Sequence, residues 1–298
     1  MPLLTVITPT YNRREYLKQC WESLMKQSCM DFQWLIIDDG SSDNTNDIVH
    51  QFQQSTSGFP IDYYYKENGG KHTALNYAHP YIKGKYVVIL DSDDQFTEDA
   101  VESVLDSWKE YEPNQAVGEI VFLKGFTVDD PICYGEVENK PVDMLQVKRI
   151  SKHGRDCCDT YRTSLFVKYP FKVFPNEKFI GEGSAFLFIE MECLGVYINK
   201  VIYLCEYQEN GLTNSGRKMR VMNPLGGMYN SKVYMNKRLP FKTRVKKGIL
   251  YSCYADFAGI SFGKLLKEND YKLLTVLTYL PGKVLYRYWK KKYLNGDK

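Results

Sequence analysis

Apolar and polar residues follow two alternating patterns along the first 125 residues. Short runs rich in β-branched and aromatic residues predict strands at Leu3–Thr8, Trp34–Asp38, Ile61–Tyr65, Tyr86–Leu90 and Ile120–Leu123. Between them, apolar residues recur at helical spacing and predict helices over Glu15–Lys26, Asn44–Gln54 and Glu98–Tyr111. Strands that alternate with helices are typical of βαβ units, so we predict an α/β fold built on a mostly parallel sheet.

The rest of the chain loses this regular alternation. Residues 125–160 contain Gly, Pro and Asp and predict a long connection with a short hairpin. From Arg217 to Pro240 we predict a loop. Helices are predicted over Phe241–Glu268 and from Asp270 toward Tyr293, the second interrupted at Pro281-Gly282.

Composition excludes several classes of protein. The chain has 298 residues, of which 44% are apolar and 25% charged, which supports a packed core and excludes a disordered or collagen-like chain. Apolar runs such as Val87–Leu90 are far shorter than the roughly 18 residues that a membrane-spanning helix needs. The N-terminus lacks the features of a signal peptide, so we expect a cytoplasmic location.

Positive charge is concentrated in the last part of the chain. Residues 1–216 carry 20 basic and 32 acidic residues, a net charge of −12, whereas residues 217–298 carry 19 and 4, a net charge of +15. Aromatic and aliphatic residues lie among these lysines. We therefore expect residues 241–298 either to contact an anionic membrane or to pack as a helix pair on the rest of the chain or in a homodimer. No nucleic-acid-binding motif accompanies the charge, so nucleic acid is not a predicted partner.

Polar residues follow the predicted strands where each strand ends. The first strand runs into Pro9, Tyr11 and Arg13, and the second ends in Asp38-Asp39. Because the carboxyl ends of parallel strands meet at one edge, where open α/β sheets bind their ligands, these side chains predict a binding site. A carboxylate there can accept a hydrogen bond from a nucleobase. The alternative for these segments is an ordinary set of turns and helix caps.

The fourth strand ends in three clustered carboxylates, Asp91, Asp93 and Asp94. A hard divalent cation relieves their repulsion, and Mg²⁺ or Mn²⁺ held by one or two carboxylates keeps positions free for phosphate oxygens. The alternative is that Asp93 and Asp94 only begin the next helix. In Asn68-Gly69-Gly70-Lys71, backbone amides and an ammonium group precede a helix, a geometry that can bind phosphate.

Four ordered motifs resemble the family-2 glycosyltransferases over about residues 3–125: TVITPTYNR, IIDDGSSDNT, NGGKHTALN and VVILDSDD. The resemblance implies a Rossmann-like GT-A fold with a mostly parallel central sheet, to which the basic segment adds a C-terminal helical extension. It also implies an inverting, metal-dependent sugar transferase that uses Mn²⁺ or Mg²⁺. In the family, the acid at Asp39 recognises uracil, and a DxD element holds the ribose and the metal-bound diphosphate. The donor-binding residues so implied are Pro9, Tyr11, Arg13, Asp39, Lys71, Asp91, Ser92 and Asp93, and the metal-binding residues are Asp93, Asp91 and Asp94.

The resemblance also indicates where the catalytic base lies. The family's acidic motif matches Glu182, and Gly183 stands where the second acid is often found. Apolar residues flank Glu182 on both sides, a setting that suits a general base. Glu190 and Glu192 are the competing candidates. The chain is thereby divided into a donor-binding half (1–125), an acceptor-binding and catalytic-base half of the same domain (126–216) and a basic aromatic extension (217–298).

These features predict a non-processive glycosyltransferase, because the QxxRW motif and membrane helices of processive family members are absent from the sequence. It would transfer a sugar from a UDP-sugar to a hydroxyl of a saccharide or lipid-linked acceptor, in surface polysaccharide or glycolipid assembly at the inner face of the cell membrane. Two alternatives remain open. One is a non-catalytic module that binds nucleotide-sugars or polyanions, and the other is a nucleotidyltransferase, which would release pyrophosphate.

Overall fold

The computed structural model describes residues 1–56, 58–147, 149–153, 156–205 and 212–294. The chain divides into two compact units. The first consists of Met1–Pro170 and Phe188–Glu206, and the second of Phe171–Leu187 and Tyr207–Lys298. The predicted boundaries after residues 125 and 216 do not coincide with this division, and they stay a prediction about functional segments.

The first unit is built on a mixed sheet. Its strands are β1 (Leu4–Thr10), β2 (Phe32–Asp38), β3 (Ile61–Tyr65), β4 (Tyr86–Ile89), β5 (Gln95–Phe96), β6 (Val117–Thr127), β7 (Asp130–Pro131), β8 (Cys133–Gly135), β9 (Arg149–Ser151), β10 (Cys157–Arg162) and β11 (Leu194–Leu204). Its helices are α1 (Arg14–Met25), α2 (Thr45–Ser55), α3 (Lys71–Ala78), α4 (Ala100–Tyr111) and α5 (Thr163–Lys168). A further helix, α6 (Gly183–Glu192), begins in the second unit and ends in the first.

Sheet order confirms the predicted α/β fold. The main sheet runs β3-β2-β1-β4-β10-β6-β11-β5, with β7 paired to β6. Strands β1 to β4 are parallel, as predicted. Strand β10, which the sequence did not predict, lies antiparallel between β4 and β6. The predicted short hairpin corresponds to β8 and β9, which pair antiparallel as a separate sheet.

The core of the first unit explains why its elements were predictable. Strands β1 and β2 are buried along their whole length, which is the burial expected of inner strands of a parallel sheet. Two tryptophans fill this core, and their indole N–H groups are satisfied. Trp34 donates to Thr8 Oγ1 at 2.9 Å, and Trp108 donates to Thr160 Oγ1 at 3.0 Å. These bonds remove the cost of burying a polar group.

The second unit is helical in the residues that the structure describes. Its helices are α7 (Leu212–Met222), α8 (Pro224–Val233), α9 (Phe241–Phe257), α10 (Phe262–Lys267) and α11 (Lys272–Tyr293). The predicted loop from Arg217 to Pro240 is therefore wrong for most of its length. Pro224 occupies a position in the first turn of α8, where a missing N–H is tolerated. A Cβ on Gly226 would lie 2.5 Å from the Phe179 carbonyl oxygen, so tertiary packing rather than helix propensity explains this glycine.

Helix α11 continues through Pro281, so the predicted interruption is also wrong. Close packing against α9 accounts for the neighbouring glycine, because a Cβ on Gly282 would lie 2.5 Å from the Cβ of Ser252. Among the described residues, none of the helices combines the length and the apolar character needed to cross a bilayer.

Candidate active site

The turns that follow β1 and β2 are tied to each other. The Asn12 amide donates to Ser41 Oγ at 2.9 Å, and the Ser42 amide donates to Asn12 Oδ1 at 2.8 Å. Asn12 has a positive φ of 50°, a conformation that asparagine tolerates better than most residues. The Arg14 amide, at the start of α1, donates to Asp43 Oδ2 at 3.0 Å. Two turns far apart in sequence thus form one rigid rim at the carboxyl edge of the sheet.

This rim carries three of the predicted donor-binding residues. Pro9 is buried within β1, whereas the Tyr11 side chain is 48% exposed at the turn. The guanidinium of Arg13 lies over the Tyr16 ring, 5.0 Å from its centroid. Of these three residues, Tyr11 and Arg13 have accessible side chains, whereas Pro9 does not.

Asp39 is almost completely buried and accepts bonds from the segment that follows β3. Lys66 Nζ lies 2.6 Å from Asp39 Oδ1, and the Gly69 amide donates to the same oxygen at 3.0 Å. The Gly70 amide donates to Oδ2 at 2.6 Å, and Asn68 Nδ2 donates to it at 3.2 Å. A carboxylate offers about four acceptor positions, so these donors occupy the carboxylate fully.

This arrangement changes the interpretation of the paired glycines. Their amides were expected to face phosphate, but both donate to Asp39. Gly40 permits this close approach, since its φ is +90° and a Cβ there would lie 2.8 Å from the Asn68 amide nitrogen. Of the groups in Asn68–Lys71 that were predicted to bind phosphate, only the Lys71 ammonium contacts the acids that follow β4.

Two ion pairs join these turns to the acids that follow β4. Lys71 Nζ lies 2.5 Å from Asp91 Oδ1, and Arg13 Nη1 lies 3.4 Å from Asp93 Oδ2. All four side chains are about one quarter exposed. The structure therefore brings together Arg13, Lys71, Asp91 and Asp93, from three separate motifs, at one accessible place. Ser92, between the two acids, is buried.

The remaining acid of the cluster has a different environment. Burial and the neighbouring Asp91 raise the pKa of Asp94 to about 7, and the Tyr203 hydroxyl donates to Asp94 Oδ2 at 2.7 Å. The Asp91 amide in turn donates to the Tyr203 oxygen at 3.0 Å. Burial raises the pKa of Asp91, but Lys71 and Lys124 outweigh it, so that pKa lies below its usual value. The two neighbouring acids therefore differ, since the pKa of Asp91 is lowered and that of Asp94 is raised.

Sequence reasoning missed Tyr203 and Lys124. Lys124 Nζ lies 4.1 Å from the centroid of the Tyr203 ring and 3.4 Å from Asp156. Tyr203 lies on β11, more than 100 residues after Asp94 in the sequence. Lys124 lies on β6, 30 residues after Asp94. No local pattern could link them to the acidic motif, because the contact depends on the order of the strands in the sheet.

The carboxylates present fit a divalent cation that is shared with a diphosphate. Within the described ranges there is no group of three or more His, Cys, Asp or Glu side chains arranged to hold a metal ion without other ligands. Mg²⁺ and Mn²⁺ at phosphate sites need only one or two protein carboxylates, and phosphate and water complete the shell. Asp93 and Asp91 would supply such oxygens, since both are about one quarter exposed.

In the second unit, the turn that bears Glu182 is anchored to α8. The Leu225 and Gly226 amides each donate to the Glu177 carboxylate at 2.7 Å. Asn230 Nδ2 donates to the Gly181 carbonyl at 3.4 Å. These contacts hold the backbone that leads into Glu182. Glu177 was not predicted, and its role is visible only once α8 is known to begin beside it.

Glu182 lies at the N-terminus of α6, where its carbonyl accepts from the Ala185 amide at 3.0 Å. Its side chain is exposed rather than enclosed by the apolar residues that flank it in sequence. The expectation of an apolar setting is thus wrong, because those residues belong to α6 and the preceding turn and point elsewhere.

Gly183 has no room for the second acid of the family motif. A Cβ at this position would overlap the hydroxyl of Tyr234. The Lys247 ammonium lies 3.9 Å from the centroid of the Tyr234 ring and 3.4 Å from Asn230 Oδ1. Burial and the nearby Arg220 lower the pKa of Lys247 to about 8. Tyr234 therefore occupies the space beside Glu182 that a longer side chain at 183 would need.

The two competing glutamates differ from each other. Glu192 is exposed and pairs with Lys168 at 2.5 Å, as expected for a solvated helix face. Glu190 is half-buried in the first unit, where burial raises its pKa to about 7. Arg149 lowers that pKa and Asp159 raises it.

Comparison with known proteins identifies the family. The profile described as "Glycosyl transferase family 2" matches residues 5–169, more than half of the chain, and the protein belongs to this family. The putative teichuronic acid biosynthesis glycosyltransferase TuaG of Bacillus subtilis is 38% identical over 105 residues, which is 35% of this chain and 41% of TuaG. The chain thus matches less than half the length of that relative. The family that the four ordered motifs resemble is thereby confirmed.

Solved structures confirm the GT-A fold. The crystal structure of S. aureus TarS 1-349 in complex with UDP superposes with a TM-score of 0.56 at 15% identity, covering 99% of this chain and 92% of that one. The mannosyltransferase PcManGT from Pyrobaculum calidifontis, in complex with GDP-Man and Mn²⁺, gives a TM-score of 0.57 at 16% identity, covering 100% and 88%. At these identities the likeness extends to the fold alone.

Proposed function

We propose that the protein is an inverting, non-processive glycosyltransferase that uses a UDP-sugar and Mn²⁺ or Mg²⁺. The observation that carries this proposal is the pair of ion pairs at the carboxyl edge, Arg13 with Asp93 and Lys71 with Asp91. The two cations can neutralise a diphosphate, and the two acids can share a divalent cation with it. The relative solved with UDP and the neighbour solved with Mn²⁺ support this choice of donor and metal.

Each donor-binding residue has a distinct part in this proposal. Arg13 and Lys71 bind the diphosphate oxygens, and the exposed Tyr11 ring contacts the nucleoside. Asp93 and Asp91 hold the metal ion, with Asp94 beside them. The ion, when bound, stabilises the negative charge of the departing UDP. Asp39 positions the segment that presents Lys71, and it can accept from a uracil imide only if one of its present donors gives way.

The reaction is a single in-line displacement. Glu182 takes the proton of the acceptor hydroxyl, and the acceptor oxygen forms a bond to the anomeric carbon on the face opposite the nucleotide. The bond between that carbon and the UDP oxygen breaks, so UDP leaves with the bonding electrons. One displacement inverts the anomeric configuration and needs no covalent sugar-enzyme intermediate.

The acceptor is a hydroxyl of a saccharide or of a lipid-linked saccharide, in the assembly of surface polysaccharide or glycolipid. The name of TuaG, which refers to teichuronic acid biosynthesis, supports this class of acceptor. Such acceptors are met at the cytoplasmic face of the cell membrane, which is where we place the enzyme.

The test is a transfer assay with a panel of UDP-sugars, Mn²⁺ and lipid-linked saccharide acceptors, in which UDP release and product are both measured. Glu182→Gln should abolish transfer and leave UDP binding unchanged. Glu192→Gln is the matched control on the same helix, and it should transfer at the wild-type rate. Full transfer by Glu182→Gln, combined with loss in Glu190→Gln, would reassign the base to Glu190.

A non-catalytic module that binds nucleotide-sugars is the second candidate. The absence of a second acid at Gly183 and the exposure of Glu182 favour it. In that case the wild-type protein binds UDP and Mn²⁺ but releases no UDP from any UDP-sugar, whatever the acceptor. Release of pyrophosphate from a nucleoside triphosphate would instead indicate a nucleotidyltransferase.

A further inference from the structure

One face of α11 is apolar and exposed over the length of the helix. Five of its residues recur at spacings of four, three, four and four positions, which places them on one stripe of an α-helix. They are between 58% and 74% exposed. The stripe, which we call the α11 stripe, consists of Leu273, Leu277, Leu280, Val284 and Tyr288.

The opposite face of α11 is already occupied by α9. A Cβ on Gly248 would lie 2.7 Å from Thr278 Oγ1, which shows how closely the two helices approach. The ring centroids of Trp289 and Tyr254 lie 5.8 Å apart. Lys283 Nζ lies 2.9 Å from Asp256 Oδ1. Helices α9 and α11 therefore pack on each other, and this packing does not cover the α11 stripe.

The charge on α11 indicates the chemistry of what covers the stripe. The helix contains six basic residues and no acidic residue: Lys272, Lys283, Arg287, Lys290, Lys291 and Lys292. On a helix with 3.6 residues per turn, Lys272 and Lys290 fall along one border of the stripe, and Lys291 continues its line. Lys283 lies on the same border but is paired with Asp256. A second copy of the same helix would bring these cations together, which disfavours self-association through this face.

We infer that α11 lies on an anionic lipid surface, with the α11 stripe inserted among the acyl chains and the flanking lysines on the headgroup phosphates. A helix with an apolar face, a basic border and a tyrosine near one end has the composition of interfacial helices. Such a helix lies along the bilayer, consistent with the finding that none of the described helices could span it. This inference goes beyond the proposed function, and binding to vesicles can be measured without any sugar transfer.

The test uses the full chain in flotation with vesicles of phosphatidylcholine mixed with phosphatidylglycerol, and with vesicles of phosphatidylcholine alone. The wild-type protein should float with the anionic vesicles, stay in solution with the neutral ones, and dissociate at high salt. Leu277→Glu/Leu280→Glu/Val284→Glu should bind at least about tenfold more weakly, since three acids replace inserted apolar side chains. Lys290→Gln/Lys291→Gln/Lys292→Gln should lose on the order of 100-fold, about fivefold for each lysine.

A matched control changes three exposed valines elsewhere in the chain. Val128→Glu/Val167→Glu/Val173→Glu adds the same charge without touching α11, and it should bind the anionic vesicles far more tightly than the α11 triple glutamate variant. All variants should keep the wild-type circular dichroism spectrum and a cooperative thermal unfolding transition, which shows that they fold.

Three results would overturn the inference. The first is equal binding by the α11 and control glutamate variants, and the second is binding to neutral vesicles as strong as to anionic ones. The third is a concentration-dependent dimer in light scattering that only the α11 glutamate variant abolishes, without vesicle binding by the wild type. That result would assign the stripe to a second copy of the chain.

Discussion

Replacing Asp39 by Asn tests whether this acid is an anchor of the fold as well as a part of the donor site. The change keeps the size of the side chain but removes its charge and turns one acceptor oxygen into a donor. Lys66, whose side chain is only 15% exposed, then loses its anionic partner at 2.6 Å and keeps only neutral acceptors, the Glu67 carbonyl and Thr73 Oγ1. The amides of Gly69 and Gly70, or the amide of Asn68, lose an acceptor as well.

The expected loss of stability follows from these contacts. Removing one partner of a buried ion pair costs about 3–5 kcal/mol. For a unit of this size each kcal/mol lowers the thermal midpoint by roughly 2–4 °C, so Asp39→Asn should unfold about 6–20 °C below the wild type. Asp38→Asn is the matched comparison. Asp38 is equally buried but accepts from two neutral donors, the Tyr63 hydroxyl and the Ser41 amide, both at 2.7 Å. Its loss should cost only about 1–3 kcal/mol.

The assay is thermal unfolding of the three proteins without ligand, followed by UDP titration at a temperature where all are folded. Asp39→Asn should show both the larger loss of stability and weakened UDP binding. If Asp39 only contacted the uracil base, Asp39→Asn would weaken UDP binding and leave the thermal midpoint unchanged. An Asp39→Asn midpoint within the error of the wild type would therefore refute the anchor role.

Three further predictions concern the other parts of the site. Lys71→Met should weaken UDP binding about tenfold or more in calorimetry, because a charged hydrogen bond is lost, whereas Lys83→Met, which breaks an exposed pair with Asp62, should not. Gly183→Asp should lower the free energy of unfolding by about 1–3 kcal/mol through overlap with the Tyr234 hydroxyl, and adding Tyr234→Ala should restore part of it; an additive loss in the double variant would contradict this. Burial raises the pKa of Glu190 to about 7, so the folded state binds the Glu190 proton more tightly than the unfolded state does. The free energy of unfolding therefore falls as pH rises from about 5 to 7. Glu190→Gln should therefore reduce the fall in urea midpoint between about pH 5 and pH 8, even though Arg149, Asp143, Asp159 and Glu119 surround the site.

The parallel part of the sheet was predictable because its signals are local. The runs that form β1, β2 and β4 are almost entirely buried, and the polar turns that end them carry Arg13, Asp39 and Asp93. Parallel pairing brings those turns to one edge whatever the rest of the chain does. Because the carboxyl ends of parallel strands meet at one edge, the sequence alone predicted that the motifs lie together there.

The remaining features depend on tertiary contacts that leave no local pattern. Strand β10 contains two cysteines and an aspartate, and its place between β4 and β6 is decided by pairing with both. The contact of Tyr203 with Asp94 depends on the position of β11 in the sheet. In the second unit, Pro281-Gly282 predicted a break, but Gly282 allows a close contact between α11 and α9 instead.

The most direct test of the proposed donor site is the thermal midpoint of the purified protein with UDP, GDP, CMP and ADP, each with and without Mn²⁺. A ligand at 100 times its Kd stabilises the folded state by about 2.7 kcal/mol, which corresponds to a rise of roughly 5–10 °C. The account predicts such a rise with UDP, larger with Mn²⁺ than without it, and its loss in Asp93→Asn. A rise with GDP alone would contradict the choice of donor, and no rise with any nucleotide would contradict the donor site itself.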